Sequence, residues 1–373
     1  MKNILLLVAL TLLVSGTSIG QKISSETINF EYKRLPLKPF DSAVETYNIV
    51  CVNIHAESVE IMRAQYEAEK DEAKAEVEGE HQAVKIINSI QGNSTKVRFV
   101  EKPYMPKIYD GPVVANKLTL ENLEKAENAE VTINLEMLGM SHTKTLMTSG
   151  GEGAKTYYYK VGAKHEMKLT TKSPDGTVLT EIAVPGSDKN IYASTKKFSS
   201  TDALNSYWAK SKYDVLLPLD SKISEANFKK ANQALNSFHG TSTIKKPFKI
   251  AVISDKKMDY DKYAKAYELM FEGALYYVED EPKANALYQQ AIDLWEAELK
   301  ESDVKNKKAR INEKVTGATR YNCIIALTWA RKFNEANSHY VKLKMLDMGK
   351  YNRQMPILKA FIDDQEARYS ANN

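Results

Sequence analysis

The pattern of apolar and polar positions changes character several times along the chain. Ile4 to Val14 is an almost unbroken apolar run behind Met1-Lys2-Asn3, too short to span a bilayer as a helix but of signal-peptide length. Small and polar residues follow, and Ser18 and Gly20 stand three and one residues ahead of a suitable cut before Gln21. Residues 1–20 are therefore expected to direct export and to be removed. Leu35-Pro36-Leu37-Lys38-Pro39 carries two prolines and predicts an extended lead-in. Tyr47 to Ile54, rich in β-branched and aromatic residues, predicts a strand.

From Glu57 to Glu80 the pattern becomes charged residues interleaved with alanine. Such residues form helix readily but have little apolar surface to bury, which predicts a solvated helix that projects or lies on the surface. Ala83, Ile86, Ile87 and Ile90 then share one helical face, and Gly92 is placed to stop it. The prolines between Lys102 and Pro112 predict a linker or a rigid extended arm packed on the surface.

Period-two alternation returns at Val131 to Leu138, Thr156 to Val161 reads as a tyrosine-rich strand, and a further strand is expected at Met167 to Lys172. The last of these joins Thr177 to Val184 through Ser173-Pro174-Asp175-Gly176, which predicts a hairpin. Ile223, Ala226, Ala231, Leu235 and Phe238 recur at helical spacing, with Ser224 near the expected start and Gly240 behind. Phe248 to Ile253 is expected to return to the same sheet as a further strand. These elements predict an α+β module with an antiparallel-rich sheet and covering helices.

Past Asp259 the period is helical throughout. Ala264, Phe271, Ala274, Leu275 and Val278 line one stripe; Ala284, Leu287, Tyr288, Ala291, Ile292 and Trp295 line the next, after the break at Glu281-Pro282. Two more run through Ile311, Val315, Ala318, Tyr321, Ile325 and Trp329, and through Phe333, Ala336, Tyr340 and Leu343. The expected organisation is a signal peptide over 1–20, a strand and charged helix over 21–100, a sheet module over 101–255, and an all-α domain of helical hairpins over 256–373.

Lys283-Ala284-x3-Tyr288-x2-Ala291 and Glu335-Ala336-x3-Tyr340-x2-Leu343 resemble the second helix of a tetratricopeptide repeat, and the Gly273 region and Tyr321 to Trp329 stand where first helices would be. The spacing of the two motifs exceeds the repeat period, so the resemblance is to a divergent pair. It implies a concave face that holds proteins or peptides. A weaker resemblance, carried by Leu35-Pro36-Leu37-Lys38-Pro39, the charged helix, the Pro-Tyr-x-Pro arm, Trp295 to Asp303 and Lys308 to Asn312, is to uncharacterised exported envelope proteins of Bacteroidota. Gln21, as the residue that would begin the mature chain, is also similar to that group. It implies no catalytic residues.

Charge and candidate chemistry narrow the picture further. A formal net charge of +4 over 373 residues argues against a dedicated nucleic-acid binder, and the length predicts two or three domains. The two cysteines, Cys51 and Cys323, sit in apolar patterns and read as small buried hydrophobes, although an exported chain could pair them. Gly16-Thr17-Ser18-Ile19-Gly20 matches a nucleophile-elbow pattern, but Ser18 leaves with the signal peptide. Thr17 stands where a lipoprotein signal would place cysteine, so the mature chain is expected to be soluble, with no lipid anchor.

Ser149-Gly150-Gly151-Glu152-Gly153-Ala154-Lys155-Thr156 has the wrong spacing for a phosphate loop and precedes a strand, which predicts a loop between strands. The six histidines, at 55, 81, 142, 165, 239 and 339, show no metal-ligand spacing. Lys305 to Arg310 is expected to be the solvated start of a long helix, and Glu76 to Glu80 a solvated acidic face. No cofactor, metal or catalytic set is expected. The sequence predicts a non-enzymatic, periplasmic or outer-membrane-associated scaffold of a cell-envelope assembly, with outer-membrane protein biogenesis or secretion machinery as the specific expectation. Its partners would be envelope proteins, met by Tyr267, Phe271, Tyr276, Tyr277, Trp295, Tyr321 and Trp329. The alternative is a soluble periplasmic carrier or hydrolase with a pocket between the sheet and helical domains.

Overall fold

In a computed structural model of the chain, residues 21–78, 86, 98–151, 155–255 and 257–373 are described. The expected signal peptide lies outside them. The strands are β1 (Lys22–Arg34), β2 (Thr46–Asn53), β3 (Glu124–Lys125), β4 (Val131–Ser149), β5 (Thr156–Lys172), β6 (Val178–Ala183), β7 (Ile191–Ser194) and β8 (Ser242–Ser254). The helices are α1 (Ala56–Glu78), α2 (Gly111–Ala115), α3 (Thr201–Ser211), α4 (Tyr213–Phe238), α5 (Asp261–Tyr276), α6 (Glu281–Leu299), α7 (Glu313–Trp329), α8 (Phe333–Met345), α9 (Gly349–Asn352) and α10 (Met355–Ala371). The fold is an α+β mixture, and the chain divides into two compact units. One runs from Phe40 to Gly240; the other joins the segment up to Pro39 to Thr241–Asn373. Their limits differ from the boundaries expected after residues 100 and 255, because β1 belongs with the C-terminal helices.

The Phe40–Gly240 unit is built on a six-stranded sheet ordered β3-β2-β4-β5-β6, with β7 pairing to β5 beyond that path. β2 lies parallel to β3 and β4, and the remaining pairs are antiparallel. The two segments expected as Thr156–Val161 and Met167–Lys172 are one long strand, β5, matched by a slightly longer β4 that bulges between Met137 and Met140. The expected hairpin turn forms between β5 and β6, with Gly176 at φ 87°, a conformation open to glycine at no steric cost. Helix α4 covers one sheet face: Phe228, Ala231 and Leu235 pack with Ile49, Ile133, Leu135 and Leu169. A second core joins Val161 and Ala163 of β5 to Leu204 and Trp208 of α3 and Leu219 and Ile223 of α4.

α4 begins at Tyr213, well before the start expected near Ser224, and carries Pro218 inside it. Proline marks a helix start only by tendency. Pro218 lies past the first turn, so it leaves the Asp214 carbonyl without its helical N–H partner, and burial of Leu216 and Leu219 holds the helix on both sides of it. α1 is a largely exposed helix laced by Glu60–Arg63, Glu67–Lys70 and Asp71–Lys74 pairs, in agreement with its charged pattern. Of the apolar face expected after it, only Ile86 falls within the described residues, and it is exposed; Ala83, Ile87, Ile90 and Gly92 lie outside them, as do Gly79 and Glu80 at the end of the acidic run.

In the other unit β1 and β8 form an antiparallel ribbon, in register from Lys22 opposite Ser254 to Arg34 opposite Ser242. The expected return of Phe248–Ile253 to the larger sheet is thus replaced by pairing with β1. One face of the ribbon is apolar: Ile28, Phe30, Tyr32, Phe248 and Ile250 are buried against the helices. Phe30 stacks on Trp329 at 4.9 Å, and the buried Asn322 amide of α7 bonds both the N–H and the C=O of Ala251 at 2.8 Å. The four expected helices are present as α5 to α8, each packed on the next, and α10 returns against α7 and α8. Arg368 and Asn372 of α10 donate to the carbonyls of Leu35 and Pro36, which satisfies backbone that the prolines keep out of a sheet.

Candidate functional site

Of the seven aromatic side chains expected to meet a partner, Trp295 and Trp329 are fully buried. They are core: Trp329 touches Phe30, Tyr32, Phe248, Tyr277 and Phe361. Tyr276, Tyr277 and Tyr321 are partly buried against the same core, with Tyr321 beside Tyr351 and Tyr276 under the Lys283 ammonium. Burial pushes the Tyr277 phenol up to about 12 and also raises that of Tyr321. Tyr267 and Phe271 are different. Their rings stack on one another, Tyr267 half-buried and Phe271 46% exposed.

These two belong to a stripe that includes the exposed residues Ala264, Leu275 (64%) and Val278 (37%). This corrects the expectation that Ala264, Phe271, Ala274, Leu275 and Val278 form one core-facing stripe: of these only Ala274 is buried, and Val278 lies in the turn after α5. The face that packs is Tyr263, Ala266, Leu269, Met270, Gly273 and Ala274. α5 is therefore apolar on two faces, and only one is satisfied within its unit. Glu268 and Glu272 border the outer stripe. Tyr267, Phe271 and Leu275 follow one another at i, i+4 spacing along this face and leave it apolar.

In the sheet unit, a buried polar cluster surrounds Asp220, and no local pattern in the chain announces it. The Asp220 carboxylate accepts from Tyr104 OH (2.7 Å), Lys107 N–H (3.1 Å), Ser224 Oγ (3.2 Å) and Tyr109 OH (3.4 Å). His165 Nδ1 lies 2.8 Å from Ser224 Oγ and 3.8 Å from Asp220 Oδ1. The set contains Ser, His and Asp, yet its connectivity differs from that of a hydrolase triad. Ser224 gives its proton to Asp220, so Nδ1–H of His165 donates to the hydroxyl and cannot deprotonate it. Burial lowers the His165 pKa to about 4, with Asp220 opposing and His55 reinforcing. A neutral ring follows, and the 3.8 Å approach is no ion pair. His165, Asp220 and Ser224 are all essentially inaccessible. The cluster ties the Tyr104–Tyr109 arm to α4 and β5, which makes the proline-rich arm a packed element.

The remaining sequence candidates are distributed. Lys305 to Arg310 is a series of turns before α7, where a helix start was expected, because Asn312 caps the helix by accepting from the N–H groups of Lys314 and Val315. Glu152, Gly153 and Ala154 of the glycine-rich loop lie outside the described residues; its flanks enter β4 and β5. Cys51 and Cys323 are free thiols, and burial pushes the Cys51 thiol up to about 11. Among the described residues no cluster of three or more His, Cys, Asp and Glu side chains is arranged to hold a metal, and no helix is long and apolar enough to cross a membrane.

No protein-family model matches this chain, and no curated protein is significantly similar to it.

Proposed function

We propose that the chain is an exported, non-enzymatic interaction subunit of a cell-envelope assembly, and that the outer stripe of α5 is where a partner protein docks. The observation that carries this reading is the exposure of Phe271 and Leu275 on a helix whose opposite face is already packed, continued by Val278 in the turn that follows. The signal-like pattern of residues 1–20 supports the compartment. Outer-membrane protein biogenesis or secretion machinery remains the specific proposal, together with the resemblance to tetratricopeptide repeats and to Bacteroidota envelope proteins. The partner would offer an apolar surface of similar length, such as an amphipathic helix.

The test is affinity purification of the tagged full-length chain from gently solubilised envelopes of its own host, with mass spectrometry, beside the Phe271→Glu/Leu275→Glu variant. Stoichiometric recovery of an envelope protein with the wild type and its loss from the variant is the expected result. Recovery of the wild type alone, as a monodisperse monomer, would overturn it. Both replaced side chains are exposed, so the variant should fold with stability within about 1 kcal/mol of wild type.

A further inference from the structure

Three helices of the C-terminal unit converge on a shallow concavity of about 300 Å³ lined by Glu296, Leu299 and Lys300 of α6 and its end, Arg320 of α7, and His339 and Lys342 of α8. Its charge balance is unlike that of its surroundings. Elsewhere in the unit, partly buried arginines have carboxylate partners: Arg310 has Glu298 and Glu301, Arg331 has Glu281, and Arg34 and Arg368 share Asp364. Among the described residues Arg320, Lys300 and Lys342 have none. The single acid of the concavity, Glu296, is engaged by His339, whose Nε2 lies 3.3 Å from its Oε1. Two positive charges are therefore left over.

Arg320 and His339 are the informative members. Arg320 is half-buried, and the loss of hydration pulls its guanidinium pKa down with no carboxylate to restore it. A partly desolvated cation without a partner is costly to fold, and a bound anion would remove that cost. His339 is 6% exposed, and its Nδ1 is buried without a hydrogen-bond partner. Burial keeps its ring from protonating readily, with Glu296 opposing and Arg320 and Lys342 reinforcing.

We infer that this concavity is a binding site for a phosphate group, with Arg320 as the forked donor and Lys300 and Lys342 as flanking point charges. A phosphate monoester near pH 7 carries close to two negative charges, which matches the surplus, and its oxygens suit a bidentate guanidinium. The same chemistry comes from a free phosphate, a phosphorylated small molecule or a lipid headgroup. The inference is independent of the partner-docking reading, since the α5 stripe contributes no residue to it.

The experiment is isothermal titration of the full chain with inorganic phosphate at constant ionic strength, with glutarate as a dicarboxylate control. Glycerol 3-phosphate and phosphatidic acid vesicles, set against phosphatidylcholine vesicles, distinguish the sources. Saturable phosphate binding that weakens by roughly 10-fold or more in Arg320→Gln is expected, as is a wild-type melting temperature that rises with phosphate. Without phosphate, Arg320→Gln should melt no lower than wild type, since it loses an unpaired cation. Lys342→Gln supplies a second variant, with weakened phosphate binding expected. Equal phosphate binding by wild type and both variants, or equal binding of glutarate, would overturn the assignment.

Discussion

A Cβ placed on Gly273 of α5 would lie 2.5 Å from Cε1 of Tyr288 on α6, so the absence of a side chain at 273 is what lets the two helices close around that ring. Tyr288 is fully buried and touches Phe30 and Tyr277, which leaves its ring no room to retreat. Helix propensity alone favours alanine over glycine by about 1 kcal/mol. Packing should reverse that sign. Gly273→Ala is expected to destabilise the helical unit by about 1–3 kcal/mol, measured by urea unfolding followed through Trp295 and Trp329. An unchanged or higher midpoint would show that the ring can move.

The same pair shows what was legible in the sequence and what was not. Helix α5 carries two apolar stripes offset by one position, and periodicity cannot choose between them. The bulkier set, with Phe271 and Leu275, looks like core; the set that packs contains Gly273 and Ala266, because small residues admit Tyr288. The neighbouring stripe of α6, from Ala284 to Trp295, has no such rival and is buried as its pattern indicates. β1 carries its own alternation, with Ile28, Phe30 and Tyr32 set between polar residues, but its partner β8 is more than two hundred residues away and nothing local specifies that pairing. The Asp220 cluster is likewise assembled from the proline-rich arm, β5 and α4. The concavity around Arg320 draws on three helices, and a sequence does not reveal which cations lack a carboxylate.

Burial of His165 makes stability depend on pH in a stated direction. Its folded-state pKa, about 4, lies below the ordinary value of 6.5, so the unfolded chain takes up the proton first. The contribution is complete above about pH 6.5 and is lost as the pH falls toward 4. Each unit corresponds to about 1.4 kcal/mol, giving a loss on the order of 3 kcal/mol across that window. NMR titration of the histidine ring resonances should find His165 neutral at pH 5.5. A His165 midpoint near 6.5 would contradict the neutral, Nδ1-protonated ring inferred from the Ser224 contact.

Gln21 is anchored by its side chain. Its Nε2 donates to Tyr260 OH at 2.7 Å and lies within 3.0 Å of the carbonyls of Arg310 and Ala309, while its Oε1 accepts from Asn312 Nδ2. Gln21→Ala should cost about 1–3 kcal/mol by leaving these groups without their partner. Asn312→Ala should cost more, because it also removes the cap of α7, a further ~1 kcal/mol. In a double-mutant cycle the two losses should fall short of additive by at least ~0.5 kcal/mol. Strict additivity would mean that the Gln21–Asn312 contact contributes nothing.

The carboxylate of Glu298 gives the sharpest electrostatic prediction. It is almost wholly buried, held by Arg310 Nη1 at 2.5 Å and by Lys262 Nζ at 3.2 Å. Lys262 is well exposed and screened by water, so Arg310 is the partner that matters. Arg310→Met strands a buried charge and should destabilise the unit by about 3–5 kcal/mol. Glu298→Leu removes that charge and leaves Arg310 its contact with the exposed Glu301 at 2.7 Å, so the smaller loss is expected there. Combining the two substitutions replaces the pair with apolar groups of similar size and should recover much of what Arg310→Met alone loses. Urea midpoints for the three variants decide the matter: a double variant as weak as Arg310→Met would mean that the arginine acts through packing and its bond to the Asp259 carbonyl, with the Glu298 charge secondary.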